Sequence, residues 1–407
     1  MPQDNKHCAD STISRRRFMQ AAVAAGAVAV VPAGMAVNSC APSGLQEDKP
    51  EPRDPDAVAT NISSALAVPK TEISMPGPFP GRVACVTHSG VTKGQKPNHG
   101  EPQAVAAMLA AGMKELTGEK DPRDAWARFF QRGDRVGIKV NPVGGKLLSN
   151  THELNRAIIN SLVEIGVSSS DIVLWDREED LLYDAGCTPE NYPDIRCSAM
   201  CYLEEEDGKK VIKGKDRIDK NVYYEFDIEQ QYDEYFTPYM INTGRRSYFA
   251  KLVTEEMDKI INVPVLKNSG PMVTLCLKNL SYGSTSNCRR GHLIMNRYIA
   301  EVCAFPPLRD KVVLNIVDGL RGCYEGGPAA NAQYIWQSNT IWAATDPVAA
   351  DAVCWDLIAQ KRIEKGIATQ EQVEEGKKQF DFLVRAENLG QGVFKSREIE
   401  HRTSKLA

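Results

Sequence analysis

The sequence predicts an α/β protein: a mostly parallel sheet with flanking helices and an inserted β-rich segment. Three observations carry this. Short runs rich in Val and Ile recur as unbroken apolar stretches, the pattern of strands buried on both faces. Segments of helical periodicity separate them, and strand–helix alternation implies parallel strands joined by right-handed crossovers. Hydrophobic residues make up 42% and charged residues 25% of 407, a globular composition sufficient for one large domain or two smaller ones.

The strand runs are 82–87, closed by His88; 134–140, with Lys139 near its end and Asn141 after it; and 171–175, closed by Asp176. The later runs are 259–263, leading through Pro264 to Lys267; 311–317, closed by Asp318; and 340–344, closed by Thr345-Asp346. Helical patterns occupy 104–116, 152–165 with Thr151 as N-cap, 246–257, and 347–359 with Asp346 as N-cap and Pro347 in the first turn. Residues 177–240 break this rhythm: they are acidic, Tyr-rich and turn at Asp207-Gly208, as an inserted β-rich subdomain or long hairpin would. The main α/β domain thus spans 71–396, and the polar tail 397–407 is expected to fray.

The N-terminus reads as an address. Ser14-Arg15-Arg16-Arg17-Phe18-Met19 has twin-arginine form, followed by a short, mild Ala/Gly/Val segment from Ala21 to Val31. That run is too short and too weakly apolar for a membrane span, which needs about 20 apolar residues. Residues 1–40 are therefore expected to be a signal peptide that engages the twin-arginine translocase. Val37-Asn38-Ser39-Cys40 resembles a lipobox, so either Cys40 becomes a lipid-modified N-terminus or the leader is a plain one. Residues 41–70, rich in Pro, Asp, Glu and Ser, are expected to form a flexible linker. The expected location is the periplasm or cell envelope, with membrane contact only through a lipid anchor.

The net charge of −4 and pI near 6.0 give no electrostatic footprint for nucleic acid. Nine of the eleven cysteines remain once Cys8 and Cys40 are set aside. An exported protein tolerates disulfides, and a pair among Cys187, Cys197 and Cys201 is the expected one. An iron–sulfur cluster from scattered cysteines such as Cys276 and Cys288 is the weaker alternative. Cys303 and Cys354 read as buried small hydrophobes.

Open parallel sheets bind ligands at the carboxyl ends of their strands, which gathers His88, Lys139, Asn141, Asp176, Lys267, Asp318 and Asp346 on one edge. Carboxylates and lysines converging there suit a divalent metal, with Asp176, Asp318 and His88 as candidate ligands, or a small anionic substrate held beside one. The alternative is that strand-end carboxylates cap the following helices and turns. This is favoured for Asp346, whereas Asp318 opens a Gly-rich stretch running through Glu325-Gly326-Gly327-Pro328 that is long enough to wrap a ligand. Lys267 and Lys278 bracket Ser269-Gly270-Pro271, a turn whose amides could hold an anion; otherwise they are solvated surface residues. His88 with His99, and His292 with Cys288, lack a recognised zinc spacing.

Several segments together resemble domain-of-unknown-function family 362 (DUF362): Gly137-Ile138-Lys139-Val140-Asn141-Pro142, Ile261-Asn262-Val263-Pro264-Val265-Leu266-Lys267-Asn268, and 273–280. Asp318-Gly319 with Glu325-Gly326-Gly327-Pro328, and Asp346-Pro347-Val348-Ala349-Ala350-Asp351, complete the set, across roughly 82–360. The resemblance implies an α/β fold and, in some members, an attached ferredoxin module that this chain lacks. It points to Lys139, Lys267, Lys278, Asn279, Asp318, Glu325, Asp346 and Asp351. A histidine usual in the family after its Pro-x-x-Lys element is replaced here by Asn268-Ser269.

Three functions remain open. One is a cofactor- or metal-dependent enzyme, an oxidoreductase or isomerase acting on a small anion. Lys139, Lys267, Lys278, Asp318 and Glu325 would do the chemistry, with Asn279, Gly326, Gly327, Asp346 and Asp351 around a cofactor. The others are a non-catalytic metal or iron–sulfur carrier and a ligand-binding envelope lipoprotein.

Overall fold

A computed structural model of the chain describes residues 54–227, 240–270 and 272–407; the leader, Cys40, Pro271 and the first part of the expected linker lie outside them. Short helix α1 (Ile62–Leu66) precedes strand β1 (Arg82–His88). Helices α2 (Pro102–Thr117) and α3 (Pro122–Ala127) lead to β2 (Val136–Lys139), and α4 (His152–Glu164) leads to β3 (Ile172–Glu178). Helix α5 (Glu179–Asp184) is followed by β4 (Arg196–Glu206), β5 (Lys209–Lys213), β6 (Ile218–Glu225), β7 (Arg246–Ala250), β8 (Lys259–Asn262), β9 (Val265–Ser269) and β10 (Met272–Val273). Helices α6 (Cys276–Gly283), α7 (Met295–Cys303) and α8 (Pro306–Arg309) precede β11 (Val312–Cys323), β12 (Ile335–Trp336) and β13 (Thr340–Ala344). Helices α9 (Pro347–Glu364), α10 (Gln370–Gln379) and α11 (Phe382–Asn388) come before the last strand, β14 (Glu400–Leu406).

The main sheet runs β14-β1-β13-β11-β8-β2-β3-β4-β5. Most neighbours are parallel, but β13 lies antiparallel between β1 and β11, and β5 turns back on β4. Helices cover both faces, making the α/β sandwich that the apolar runs predict. On one face Val86, Ile138, Leu174 and Leu314 pack with Met108 and Leu109 of α2 and Ile158 and Leu162 of α4. On the other, Trp175, Ile260, Val317 and Trp342 pack with Leu277 of α6, Ile299 of α7 and Trp355 of α9. Helix α4 shows how the sequence sets this up: Leu154, Ile158 and Leu162 recur at i, i+4 and i+8 and are buried, while Arg156 and Asn160 between them are exposed.

The sequence expectations needed correction at four places. The pattern at 246–257 is β7, paired antiparallel with β6 through Tyr223↔Tyr248, and then one π-helical turn at Leu252–Glu256. Residues 54–70, expected to be flexible, fasten to the body. Arg297 Nη1 donates to the Val58 carbonyl at 2.6 Å and Arg309 Nη1 to that of Val68 at 3.0 Å. The tail expected to fray is β14, parallel to β1 over seven residue pairs. Cys187, Cys197 and Cys201 are free thiols, like the other cysteines among the described residues. The segment 177–240 is β-rich as expected: its β6 pairs with β7 in a two-stranded sheet of its own, while its β4 and β5 join the main sheet. Its hairpin β4–β5, turning at Asp207-Gly208, extends that sheet beyond β3.

Candidate functional site

Strand β2 ends on Lys139, whose side chain is 1% exposed. Its ammonium donates to the Asp176 carboxylate, to the Val140 carbonyl at 2.7 Å and to Asn279 Oδ1 at 3.2 Å. Space for it comes from Gly283 of α6, where a Cβ would sit 2.3 Å from Lys139 Cε. Asn279 Oδ1 also accepts from Asn141 Nδ2 at 3.1 Å, and Asn141 Oδ1 in turn accepts from Lys267 Nζ at 2.8 Å. One connected set of buried side chains therefore runs Asp176–Lys139–Asn279–Asn141–Lys267 along the carboxyl edge of β3, β2 and β9.

The two lysines stand in different fields. Lys139 touches a carboxylate, which works against the downward push of burial. Lys267 is fully buried on β9, and its two hydrogen-bond acceptors, Asn141 Oδ1 and the Val143 carbonyl, are both neutral. Burial pushes its ammonium down to about 7. An amine in that range exchanges protons near neutrality, whereas a free lysine stays charged.

Asp318 lies on the same edge but does other work. Its carboxylate accepts the Thr151 N–H at 2.6 Å, the Thr151 hydroxyl at 3.3 Å and the Leu320 N–H at 3.2 Å. Thr151 is the N-cap of α4, yet it bonds Asp318 rather than its own helix. Burial raises Asp318 to about 6. The stretch expected to be a Gly-rich loop from Asp318 remains strand through Cys323. Gly319 there is needed because a Cβ would meet the Trp342 ring at 2.3 Å. The loop proper begins at Tyr324.

In that loop Glu325 pairs with Arg362, and burial raises its carboxyl above the usual range. Gly327 N–H donates to Asn268 Oδ1 at 2.9 Å, and Asn268 Nδ2 donates to the Gly270 carbonyl at 2.9 Å. Asn268 thus fastens the 324–331 loop to the turn after β9. Lys278, on α6, donates to Ser269 Oγ at 2.8 Å beside the same turn.

The remaining expected residues do not join this set. Asp346 follows β13, which runs against its neighbours, and so lies at the opposite edge. There it caps α9 through Ala349 N–H at 2.8 Å and accepts from Gly81 and Val393, each at 2.9 Å. Asp351 accepts the Cys276 and Leu277 N–H groups at 2.6 and 3.1 Å, capping α6 from α9. His88 ends β1; β13 stands between β1 and β11, which carries Asp318, and four strands (β13, β11, β8 and β2) stand between β1 and β3, which carries Asp176. Neighbouring strands lie about 4.8 Å apart, so His88, Asp318 and Asp176 have no common point for a metal. Among the described residues no three His, Cys, Asp or Glu side chains converge as a metal site would require. Burial drives the thiol of Cys276 well above its ordinary range.

Sequence reasoning missed the amides beneath the lysines. Asn262 Oδ1 accepts from Asn279 Nδ2 at 2.8 Å and Asn262 Nδ2 donates to Asn315 Oδ1 at 2.9 Å. Asn150 Oδ1 accepts the Asn141 N–H at 2.5 Å. The signal was present: Asn262 and Asn315 interrupt apolar strand runs, and a buried amide needs partners. Two surface hollows, of about 420 Å³ beside Trp355, Lys377 and His401 and about 820 Å³ beside Ile73, Val222 and Lys311, are lined by none of these residues. The segments 142–150 and 324–331 touch this edge through Val143, Asn150 and Gly327, and their glycines Gly144, Gly145 and Gly326 adopt positive φ.

Among the described residues, no helix is long and apolar enough to cross a membrane. No curated protein matches the chain. The family model described as "Domain of unknown function (DUF362)" matches residues 224–356, the stretch that supplies Lys267, Asn268, Lys278, Asn279 and Asp318, while Lys139 and Asp176 come from strands outside it. Over residues 224–356, about a third of the chain, the protein is therefore similar to the DUF362 family.

Proposed function

We propose that the carboxyl edge of the sheet is the active site of an enzyme that moves a proton at a small anionic substrate, of the isomerase or oxidoreductase type. The observation that carries this reading is the contrast between the buried lysines. Lys139 keeps a carboxylate partner and serves as fixed positive charge, whereas Lys267 has neutral acceptors and a proton affinity near neutral pH. An unpaired buried amine is costly to stability, and function is the usual reason to keep one. Lys278, Ser269 and the 324–331 loop border the same edge and supply polar groups for an anion.

The test is isotope exchange. The mature protein is incubated in D2O with a panel of small 2-hydroxy, 2-keto and 2-amino carboxylates and sugar phosphates, and carbon-bound deuterium is read by NMR. Exchange into one substrate class that Lys267→Ala abolishes, while Lys278→Ala weakens binding, supports the reading. Exchange in no member of the panel, or exchange indifferent to Lys267, overturns it.

The twin-arginine pattern and the Cys-containing box support export by the twin-arginine route with a lipid anchor at Cys40. Replacing Arg15 and Arg16 by lysine should hold the protein in the cytoplasm, and Cys40→Ser should release it from the membrane fraction.

A further inference from the structure

A second group of titratable residues lies at the first turn of α4, and the lysine site does not use it. His99 Nδ1 stands 3.0 Å from Glu153 Oε1, and the other carboxylate oxygen accepts the Gly100 N–H at 3.0 Å. The hydrogen bonds to His99 and Gly100 hold Glu153 below its usual range despite partial burial, so it is a carboxylate and can only accept. The proton between the two residues therefore sits on Nδ1. That fixes the tautomer of His99 and leaves Nε2 with its lone pair.

The rest of the surroundings hold that arrangement still. The His99 ring lies on the His152 ring, with centroids 5.1 Å apart. His152 is itself locked through Nδ1 to the Tyr192 hydroxyl at 2.7 Å, and burial lowers its proton affinity, so the lower ring stays neutral. Arg321 Nη1 donates to the His99 carbonyl at 2.7 Å, which ties the residue to β11 three positions after Asp318. Asn98, just before it, accepts the Ser149 N–H at 2.7 Å and donates to the Gly145 carbonyl at 2.9 Å. Glu153 is only 13% exposed, but the His99 side chain is 39% exposed, so its imidazole is open to reagents in solution.

We infer that His99 and Glu153 form a proton-accepting dyad, with His99 Nε2 taking the proton from a water or hydroxyl group brought to this edge and Glu153 stabilising the imidazolium. In the step, the O–H bond of the incoming group breaks, its proton passes to Nε2, and the Nδ1 proton stays in place against the carboxylate. The same geometry makes Nε2 a good nucleophile toward acylating reagents. The charged and titratable groups around the ring are Glu153, Arg156 and His152 from α4, Arg321 from β11, and Lys96, whose carbonyl accepts the His99 N–H. This inference does not rest on the lysine site.

The experiment uses diethyl pyrocarbonate on the mature protein, with acylation of each histidine followed by peptide mass spectrometry. His401, exposed on β14, is the internal standard. His99 should react at least as fast as His401 despite its smaller exposure. In Glu153→Gln its rate should fall several-fold while that of His401 stays unchanged. Long-range 1H–15N spectra should place the neutral proton on Nδ1 in the parent and redistribute it in Glu153→Gln. A slow His99, a rate indifferent to Glu153→Gln, or a proton found on Nε2 would overturn the dyad. Because His401 and the folded spectrum are read in the same samples, loss of folding cannot pass for support.

Discussion

The Asp351 carboxylate on α9 holds the N-terminus of α6, accepting the Cys276 N–H at 2.6 Å and the Leu277 N–H at 3.1 Å. Helix α6 carries Lys278 and Asn279, so this contact sets where both groups sit. Burial nevertheless raises the carboxyl to about 7 from its ordinary 3.8. The folded state therefore binds more protons than the unfolded state between those values, and stability from this group is full below about pH 3.8 and lost as pH rises toward 7. Asp351→Asn should remove that slope. In urea unfolding between pH 4 and 7, the stability of the parent should fall relative to the variant as pH rises. Asp351→Ala, which abandons two buried amides and also removes the titrating group, should cost about 1–3 kcal/mol near pH 4 and less as pH rises toward 7.

Lys139 and Asp176 form the buried ion pair of the site, at 1% and 7% exposure. Removing one partner strands the other charge, so Asp176→Asn and Lys139→Met should each cost about 3–5 kcal/mol. The double variant Lys139→Met/Asp176→Asn should cost less than the sum of the single changes, since both charges leave together. Chemical denaturation of the four proteins checks this. Additive losses would mean that the two groups are held by other partners.

How much of this was legible in the sequence depended on whether side chains or strand direction decided the matter. The Val- and Ile-rich runs exposed the buried strands because burial on both faces forces unbroken apolarity. The strand-end rule then placed Lys139, Asn141, Asp176 and Lys267 on one edge, where the structure joins them. It placed Asp346 there too, wrongly, because nothing in residues 340–344 reveals that β13 runs against its neighbours. Asp351 reads as a ligand in sequence because its two acceptor contacts reach residues 74 and 75 positions away. Strand β14 was invisible for a different reason. Its sequence, Glu400-His401-Arg402-Thr403-Ser404-Lys405-Leu406, has almost no apolar face, as suits an edge strand held by its backbone.

The 324–331 loop depends on one close approach. A Cβ on Gly327 would stand 1.9 Å from the Asn268 carbonyl oxygen, a backbone atom that cannot swing aside. Gly327→Ala should therefore push the loop off the turn after β9, break the Gly327–Asn268 hydrogen bond and cost about 1–3 kcal/mol. Gly90→Ala is the control, because the nearest atoms there are 3.8 Å away on the His88 ring. Thermal melts of both variants, with amide spectra of Asn268 and Gly270, decide the matter. Equal effects at the two positions would show that the contact does not hold the loop.

The last strand makes the firmest prediction about the fold. Strand β14 pairs with β1 from Arg82↔Glu400 to His88↔Leu406, and its side chains add an Arg82–Glu400 ion pair at 2.8 Å and a Ser404–Glu115 hydrogen bond at 2.6 Å. The ion pair is largely exposed and contributes little. The backbone ladder matters more, because without it β1 becomes the sheet edge. Its free N–H and C=O groups would then be open to a strand from another molecule. Ending the chain at Ile399 should lower the melting temperature by several degrees and produce concentration-dependent association, seen by light scattering. Arg82→Ala, which removes the ion pair but keeps the ladder, should do neither. A truncated protein that melts like the parent and stays monomeric would show that β14 is dispensable and that β1 is protected in some other way.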